Sequence, residues 1–161
     1  MTSRLLIVAS ALALPLPVPA QGTRLLRQPT VSATQIAFEY GGDLWIVDKA
    51  GGDARRLTST PAVEADAQFS PDGRWLAFTS NRSGNRDVYV VAVVGGDPRR
   101  LTWHPGGDDA RGWSPDGKLV LFSSNRNTAP VGFNRLWTVP VNGGTSEAAL
   151  APGLVQTRPA P

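Results

Sequence analysis

The residues with the most chemical potential lie in one segment, Trp103-His104-Pro105-Gly106-Gly107-Asp108-Asp109. His104 is the single histidine of the chain, so a multi-histidine metal centre is excluded. With Asp108 and Asp109 it could act as a general base or a metal ligand. The corresponding segment 44 residues earlier, Ser59-Thr60-Pro61, has no histidine. This comparison favours a connecting loop over a catalytic site.

Two serines and several carboxylates are further candidates for chemistry. Ser70 and Ser114 each begin a Ser-Pro-Asp-Gly tetrapeptide and lack the Gly-x-Ser-x-Gly elbow that exposes a nucleophile. Asp72 and Asp116 lie in the same tetrapeptides, and a tight turn is a sufficient reason for them. Three other acidic residues have a spacing that matches no calcium-binding loop: Asp66, Asp108 and Asp109.

Repeated arginines and aromatic residues suggest binding surfaces. Arg55-Arg56 and Arg99-Arg100 could form a basic stripe, but we expect one arginine of each pair to stack or pair within its own sheet. Aromatic residues share two repeat positions, which favours sheet core over a stacking platform for sugar or peptide. The first position holds Trp45, Tyr89 and Trp137, and the second holds Phe38, Phe78 and Phe122. We therefore predict no catalytic residue, no metal ligand and no cofactor-binding residue in this chain.

The composition describes the elements that hold these residues. The 161 residues include 17 glycines, 14 prolines and no cysteine, and 41% are hydrophobic. Disulfides, thiolate metal sites and a cysteine nucleophile are thus excluded. Frequent turns and enough apolar residues for a core favour a β protein rich in turns.

The first twenty residues are typical of a secretory signal peptide. Arg4 precedes the apolar run Leu5–Leu14, and Val18-Pro19-Ala20 ends the segment with small residues. As a helix, that run would span about 15 Å, roughly half of a bilayer's hydrocarbon core. We expect an exported protein, periplasmic or secreted, with residues 1–20 removed and no stable membrane insertion afterwards. Removal of Arg4 lowers the formal net charge from +3 to +2, which disfavours a nucleic-acid partner.

An internal repeat organises the rest of the chain. Four short segments recur 44 residues later, and a third, partial copy follows 48 residues after the second. The repeated pairs are Asp43–Val47 and Asp87–Val91, Gly51–Asp53 and Gly95–Asp97, Arg55–Thr58 and Arg99–Thr102, and Ser70–Gly73 and Ser114–Gly117. The third copy comprises Leu136–Val139 and Gly143-Gly144, and its extra residues fall in Arg126–Asn134.

This period, with short apolar strands between turns, predicts an all-β fold of β-propeller blades. We expect about three four-stranded antiparallel blades, at 30–65, 66–108 and 109–151, after an N-terminal linker at 21–29. Residues 152–161 are predicted to be a flexible tail. Three blades form an incomplete ring with exposed apolar faces, so we expect marginal stability or self-association.

The repeat resembles that of a known group of propellers. The segment Phe69–Ser80, with its Ser-Pro-Asp-Gly turn, is similar to repeats of TolB-type translocation proteins, prolyl-oligopeptidase relatives and tricorn proteases. Gly42–Thr58 and Phe133–Gly144 resemble the N-terminal propeller of tricorn protease homologues. The resemblance implies a serine peptidase whose catalytic part lies outside this chain, so no catalytic residue can be carried over.

Three functional hypotheses follow. The first is the non-catalytic propeller portion of an exported tricorn-like serine peptidase, which gates or docks peptide substrates. The alternatives are a periplasmic TolB-like protein-binding scaffold and a nonfunctional truncated remnant. The expected partners are a peptide or protein, the remainder of a propeller or peptidase chain, or a second copy of this chain.

Overall fold

The computed structural model describes residues 26–127 and 133–149, which form twelve strands in three four-stranded antiparallel sheets. These residues include no helix, and hence none long and apolar enough to cross a membrane. The predicted signal peptide, the predicted tail and the middle of the insertion at Arg126–Asn134 lie outside the described residues.

Each sheet is a meander in which strands adjacent in sequence pair with each other. The first sheet contains β1 (Arg27–Val31), β2 (Gln35–Tyr40), β3 (Asp43–Asp48) and β4 (Arg55–Arg56). The second contains β5 (Glu64–Phe69), β6 (Trp75–Ser80), β7 (Asp87–Ala92) and β8 (Arg99–Arg100). The third contains β9 (Asp108–Trp113), β10 (Leu119–Ser124), β11 (Arg135–Pro140) and β12 (Glu147–Ala148). The predicted all-β fold with three four-stranded blades is thus confirmed, and the described residues do not close a ring.

The Ser-Pro-Asp-Gly segments are the turns that join the first two strands of the second and third sheets. The Ser70 hydroxyl donates to Asp72 Oδ1 over 2.6 Å and accepts the Trp75 N–H over 3.0 Å. Gly73 has a φ of 69°, a conformation that glycine adopts without strain. In the first sheet, Ser32 accepts the Gln35 N–H over 2.9 Å, so a turn that closes at residue 35 joins the first two strands without a carboxylate.

The sheets stack face to face, and each has a front face toward the preceding sheet and a back face toward the following one. The back face of the first sheet and the front face of the second share one core cluster. It comprises Ala37, Leu44, Ile46, Leu57, Ala67, Leu76, Phe78, Tyr89 and Val91. The back face of the second sheet and the front face of the third share the other, which comprises Ala77, Val88, Val90, Leu101, Ala110, Val120, Phe122 and Val139.

The first strands of the three sheets lie side by side at the inner edge of the stack, since β5 contacts both β1 and β9. Each of these inner strands has a break in its pairing register, which is a β-bulge. Gln28 and Asp66 adopt left-handed φ values of 45° and 57° at the first two bulges. A bulge redirects side chains, so the inner edge presents polar groups that a regular strand would turn elsewhere.

Three strands begin earlier than the predicted blade limits. β1 begins at Arg27, inside the segment predicted as a linker, and β5 and β9 begin at Glu64 and Asp108. The reason is common to the last two, because each begins with a carboxylate that is buried beside an arginine. From sequence alone, a charged residue is usually assigned to a loop. Here an arginine neutralises each carboxylate, so a strand can begin at a buried acidic residue.

Candidate functional site

His104 lies in the loop that precedes β9 and makes hydrogen bonds within that region. Its Nδ1 accepts the Gly106 N–H over 2.9 Å, and its backbone carbonyl accepts from Asn85 Nδ2 over 2.8 Å. These hydrogen bonds shape a loop, and neither of them reaches a serine or a carboxylate of the described residues. In the described ranges no three His, Asp or Glu residues are grouped so as to hold a metal ion.

The repeated aromatic residues belong largely to the core, as the sequence predicts. Phe78 and Tyr89 are buried and stacked with ring centroids 5.8 Å apart. The Arg82 guanidinium covers them, 4.8 Å from the Tyr89 centroid, and forms an ion pair with the buried carboxylate of Glu64. The third sheet repeats the arrangement with Asp108, Arg126, Phe122 and Trp137.

Sequence reasoning missed these buried ion pairs, although the chain contains a signal for them. The segments Thr79–Arg82 and Ser123–Arg126 differ only in their first residue and lie 44 residues apart, as do Glu64 and Asp108. A carboxylate and an arginine that recur at one repeat offset indicate a pair that the blade architecture requires. Each arginine supplies the countercharge of a buried acidic group, Glu64 in the second sheet and Asp108 in the third.

The two arginines of each outer-strand pair make different contacts. Arg56 forms an ion pair with Asp43 at 2.5 Å, and Arg100 pairs with Asp87 at 2.7 Å. Pairing within the blade is thus confirmed. Burial raises the pKa of Asp87, while the charge of Arg100 opposes that rise.

The other arginine of each pair crosses to the next sheet, which the sequence did not predict. Arg55 Nη2 donates to the Val93 carbonyl over 2.5 Å, and Arg99 Nη2 donates to the Val141 carbonyl over 2.5 Å. The basic residues are therefore engaged between sheets and do not form a free stripe.

Asp66, singled out in the sequence as an acidic residue, is the centre of a hydrogen-bonded group on the inner strands. Its backbone N–H donates to Glu39 Oε1 over 2.8 Å and to Gln28 Oε1 over 2.9 Å. Its Oδ2 accepts from the Thr79 hydroxyl over 3.0 Å. These bonds hold the left-handed conformation of Asp66 and link the first two sheets.

Arg111 continues this group into the third sheet. Its guanidinium lies 3.4 Å from Asp66 Oδ1 and 3.3 Å from Asp109 Oδ2. Arg86 Nε approaches Asp109 Oδ1 at 3.0 Å. Both arginine side chains are substantially exposed, at 44% and 62%, so they can donate to a further group. We define Gln28, Glu39, Asp66, Arg86, Asp109 and Arg111 as the inner-strand cluster.

A cavity of about 400 Å³ shares Glu39 with this cluster. Its lining combines both charges with an aromatic ring and comprises Arg27, Glu39, Tyr40, Gly41, Gly42, Val63 and Glu64. Burial raises the pKa of Glu39, and the nearby charge of Asp66 adds to this rise. The Asp66 N–H and the charge of Arg27 act in the opposite direction. The cavity offers hydrogen-bonding groups of both polarities and suits a polar chain segment.

The Asp residues of the repeated turns are structural. The Ser70 hydroxyl bond is the main cause that lowers the pKa of Asp72 to about 2, and the N–H of Arg74 adds to the effect. The corresponding bond from Ser114 lowers the pKa of Asp116. The carboxylates are held ionised by hydrogen bonds within their own turns, and the sequence predicts those turns.

Comparisons with known proteins agree with this architecture. The sequence matches the tricorn protease N-terminal beta propeller domain family over residues 23–158. A protein TolB homolog of Chlorobium chlorochromatii is 44% identical over 50 residues, which are 31% of this chain and 11% of that protein. Tricorn protease homolog 2 of Streptomyces coelicolor is 45% identical over 59 residues, which are 36% of this chain and 5% of that protein.

The similarity extends to three dimensions. The crystal structure of the tricorn protease superposes with a TM-score of 0.63 at 27% identity, over 74% of this chain and 13% of that chain. The chain thus spans only a small part of the length of each of these relatives. The match to the family covers most of the sequence, and the stacked four-stranded sheets are those of a propeller. The chain belongs to the family of the tricorn protease N-terminal beta propeller domain.

Proposed function

We propose that this chain is a non-catalytic propeller portion of an exported, tricorn-like peptidase that docks peptide segments at its inner-strand cluster. The observation that carries the proposal is the exposed guanidinium of Arg111, which lies between the carboxylates of Asp66 and Asp109 on the inner strands. Membership of the tricorn propeller family supports the assignment to a peptidase.

The chemistry of the cluster suits an extended peptide. Arg86 and Arg111 donate to peptide carbonyls or to a terminal carboxylate, and Glu39 faces the cavity as an acceptor. An extended backbone presents donors and acceptors alternately, so a surface of mixed polarity can bind it in several registers. The cluster binds and orients a segment in this proposal, and no bond is made or broken there.

Export is part of the proposal and rests on the sequence of residues 1–20. A preparation of the chain secreted by a bacterial host is expected to begin at Gln21. Sequencing of its N-terminus tests this, and a mature protein that retains Arg4 would contradict it.

Peptide docking is tested by fluorescence anisotropy with dye-labelled hexapeptides that carry a free carboxylate, and with their amidated forms. Arg111→Met in the full chain should weaken binding about tenfold, because a charge-assisted hydrogen bond is lost. Arg74→Met is the matched control, since Arg74 is an exposed arginine of a turn outside the cluster. Equal affinity of the two variants would contradict docking at this cluster.

A TolB-like scaffold is the second candidate, favoured by the 44% identity with a TolB homolog. It predicts binding to folded protein partners of the Tol-Pal system and no affinity for short peptides. Surface plasmon resonance with both kinds of probe separates the two functions.

A further inference from the structure

The front face of the first sheet is an apolar surface that no described residue covers. Ile36, Phe38, Trp45 and Val47 are half-buried there, and Val31 is 57% exposed. The corresponding residues of the second sheet pack against the sheet before it. They are Leu76, Phe78, Tyr89, Val91 and Phe69.

The back face of the third sheet is open in the same sense. Leu136 is 37% exposed, whereas Val88, at the corresponding position of the second sheet, is fully buried. The other positions of this face are Leu121, Thr138 and Ala149. The two ends of the stack therefore expose one front face and one back face. Inside the chain, each interface is formed by a back face packed against a front face.

We propose that a second copy of this chain covers these faces, so that two copies close a ring of six sheets. The back face of the third sheet of each copy packs against the front face of the first sheet of the other. Both contacts are heterologous, and such contacts close when the rotation between copies divides a full turn. Six sheets lie within the four to eight blades, roughly, that propellers contain.

The two internal interfaces show which polar contacts this arrangement needs. In the first, the Glu64 N–H donates to the Gly42 carbonyl over 2.9 Å, and the Asp66 N–H donates to Glu39. In the second, the Asp108 N–H donates to the Arg86 carbonyl over 2.9 Å, and the Ala110 N–H donates to the Thr79 hydroxyl over 3.0 Å. Arg55 and Arg99 then reach across to Val93 and Val141.

The two open faces differ from the internal interfaces at the positions of this arginine–carbonyl contact. Glu147 occupies in the third sheet the place of Arg55 and Arg99, and it pairs in register with Thr138 on the back face. Lys49 occupies in the first sheet the place of Val93 and Val141, whose side chains pack against the preceding sheet. The back face of the third sheet therefore carries the acidic Glu147 in place of a donor arginine. The front face of the first sheet carries the basic Lys49. Neither Glu147 nor Lys49 is in an ion pair with the described residues.

This complementarity selects a second copy as the occupant. In the closed ring, Glu147 of one copy faces Lys49 of the other, and the contact occurs twice. Ser123 takes the position that Glu39 and Thr79 have at the internal interfaces, where it can accept the Gln28 N–H of the other copy. The two copies then surround one channel lined by two inner-strand clusters.

The test measures the mass of the full chain, exported from a bacterial host, by sedimentation velocity at several concentrations. Two copies per particle are expected. A monomer at all concentrations, or particles that grow without limit as in an open filament, would overturn the closed ring.

Charge reversal tests the proposed contact directly. Lys49→Glu and Glu147→Lys should each weaken the dimer at least about fivefold, because each ring contains two of these pairs. The double variant should regain the affinity of the unaltered chain. Lys118→Glu and Asp97→Lys are the controls, since both residues are exposed in turns away from the two faces. Failure of the double variant to regain affinity would overturn the pairing.

Apolar substitutions separate this arrangement from a front-to-front dimer. Val31→Asp and Leu136→Asp should each give monomers, and an equimolar mixture should form a heterodimer through its one unaltered interface. Val94→Asp is the matched control, because Val94 is an exposed valine in a turn. All variants should unfold with one cooperative transition by circular dichroism. A Leu136→Asp chain that remains a dimer would overturn the proposal in favour of front-to-front pairing.

Discussion

The first and second sheets have aromatic residues at the same repeat positions, but different groups pack against them. In the second, the long hairpin between Ser80 and Asp87 places Arg82 over Phe78 and Tyr89, where Glu64 neutralises it.

In the first, Gly41-Gly42 is the whole hairpin, and Leu26 stands where the second sheet has Glu64. Tyr40 and Trp45 instead meet edge to face, with centroids 6.0 Å apart, and Trp45 Nε1 donates to the Tyr40 carbonyl over 3.2 Å.

The difference shows how burial and charge depend on each other. A buried ion pair lies under a cover that excludes water, and because its desolvation is costly each buried charge needs an opposite charge beside it. The second sheet has that cover from the back face of the first. The front face of the first sheet lacks it among the described residues, and its aromatic position has no described ion pair of the Arg82–Glu64 kind. The uncharged contact between Tyr40 and Trp45 can stay partly exposed to water, because it involves no buried charge.

The largest expected effect compares equivalent phenylalanines. Phe78→Ala should lower the free energy of unfolding by about 4 kcal/mol, because it empties a fully buried site. Phe38→Ala should cost only about 1–2 kcal/mol, because this ring is half-buried. Urea unfolding in the Leu136→Asp background, which keeps a second copy off the first sheet, measures both. Equal losses would mean that the two faces are equally covered within one chain.

The next effect concerns the buried ion pair. Arg82→Met should lower the free energy of unfolding by about 3 kcal/mol, since it leaves the Glu64 carboxylate buried without its partner. Arg82→Met combined with Glu64→Gln should recover part of this loss, because the uncompensated charge is removed. Arg74→Met, at the exposed pair with Asp72, should cost less than about 1 kcal/mol. A double variant less stable than Arg82→Met would contradict a charge effect.

The sequence predicts those features of the fold that depend on neighbouring residues and recur. The repeated Ser-Pro-Asp-Gly turns and apolar strands are local, so their spacing was sufficient to infer three four-stranded sheets. The left-handed Asp66 could not be inferred, because its conformation depends on Gln28 and Glu39 from another sheet. The inner-strand cluster could not be inferred either, because Arg111 and Asp66 come from different sheets and are close only when the sheets stack. The sequence did identify Asp66 and Asp109 as acidic candidates, but not their arginine partners.

The smallest expected effect contrasts the two versions of the turn. The folded state lowers the pKa of Asp72 from 3.8 to about 2, and the first-sheet turn at Ser32 has no carboxylate. A carboxyl with a lowered pKa contributes stability in full above its unfolded value, and this stability is lost as the pH falls through its folded value. Asp72→Asn retains an acceptor oxygen for Ser70 and Arg74 but cannot ionise.

Urea midpoints measured between pH 5 and pH 2 test this contrast. The unaltered chain should lose more stability than Asp72→Asn as the pH falls from about 4 to about 2, because only its turn loses a charge in that window. The two proteins should show parallel pH dependence above pH 5, where Asp72 is ionised in both the folded and the unfolded chain. Parallel curves for Asp72→Asn and the unaltered chain down to pH 2 would show that the Ser70 and Arg74 bonds hold this turn regardless of charge, as Ser32 does in the first sheet.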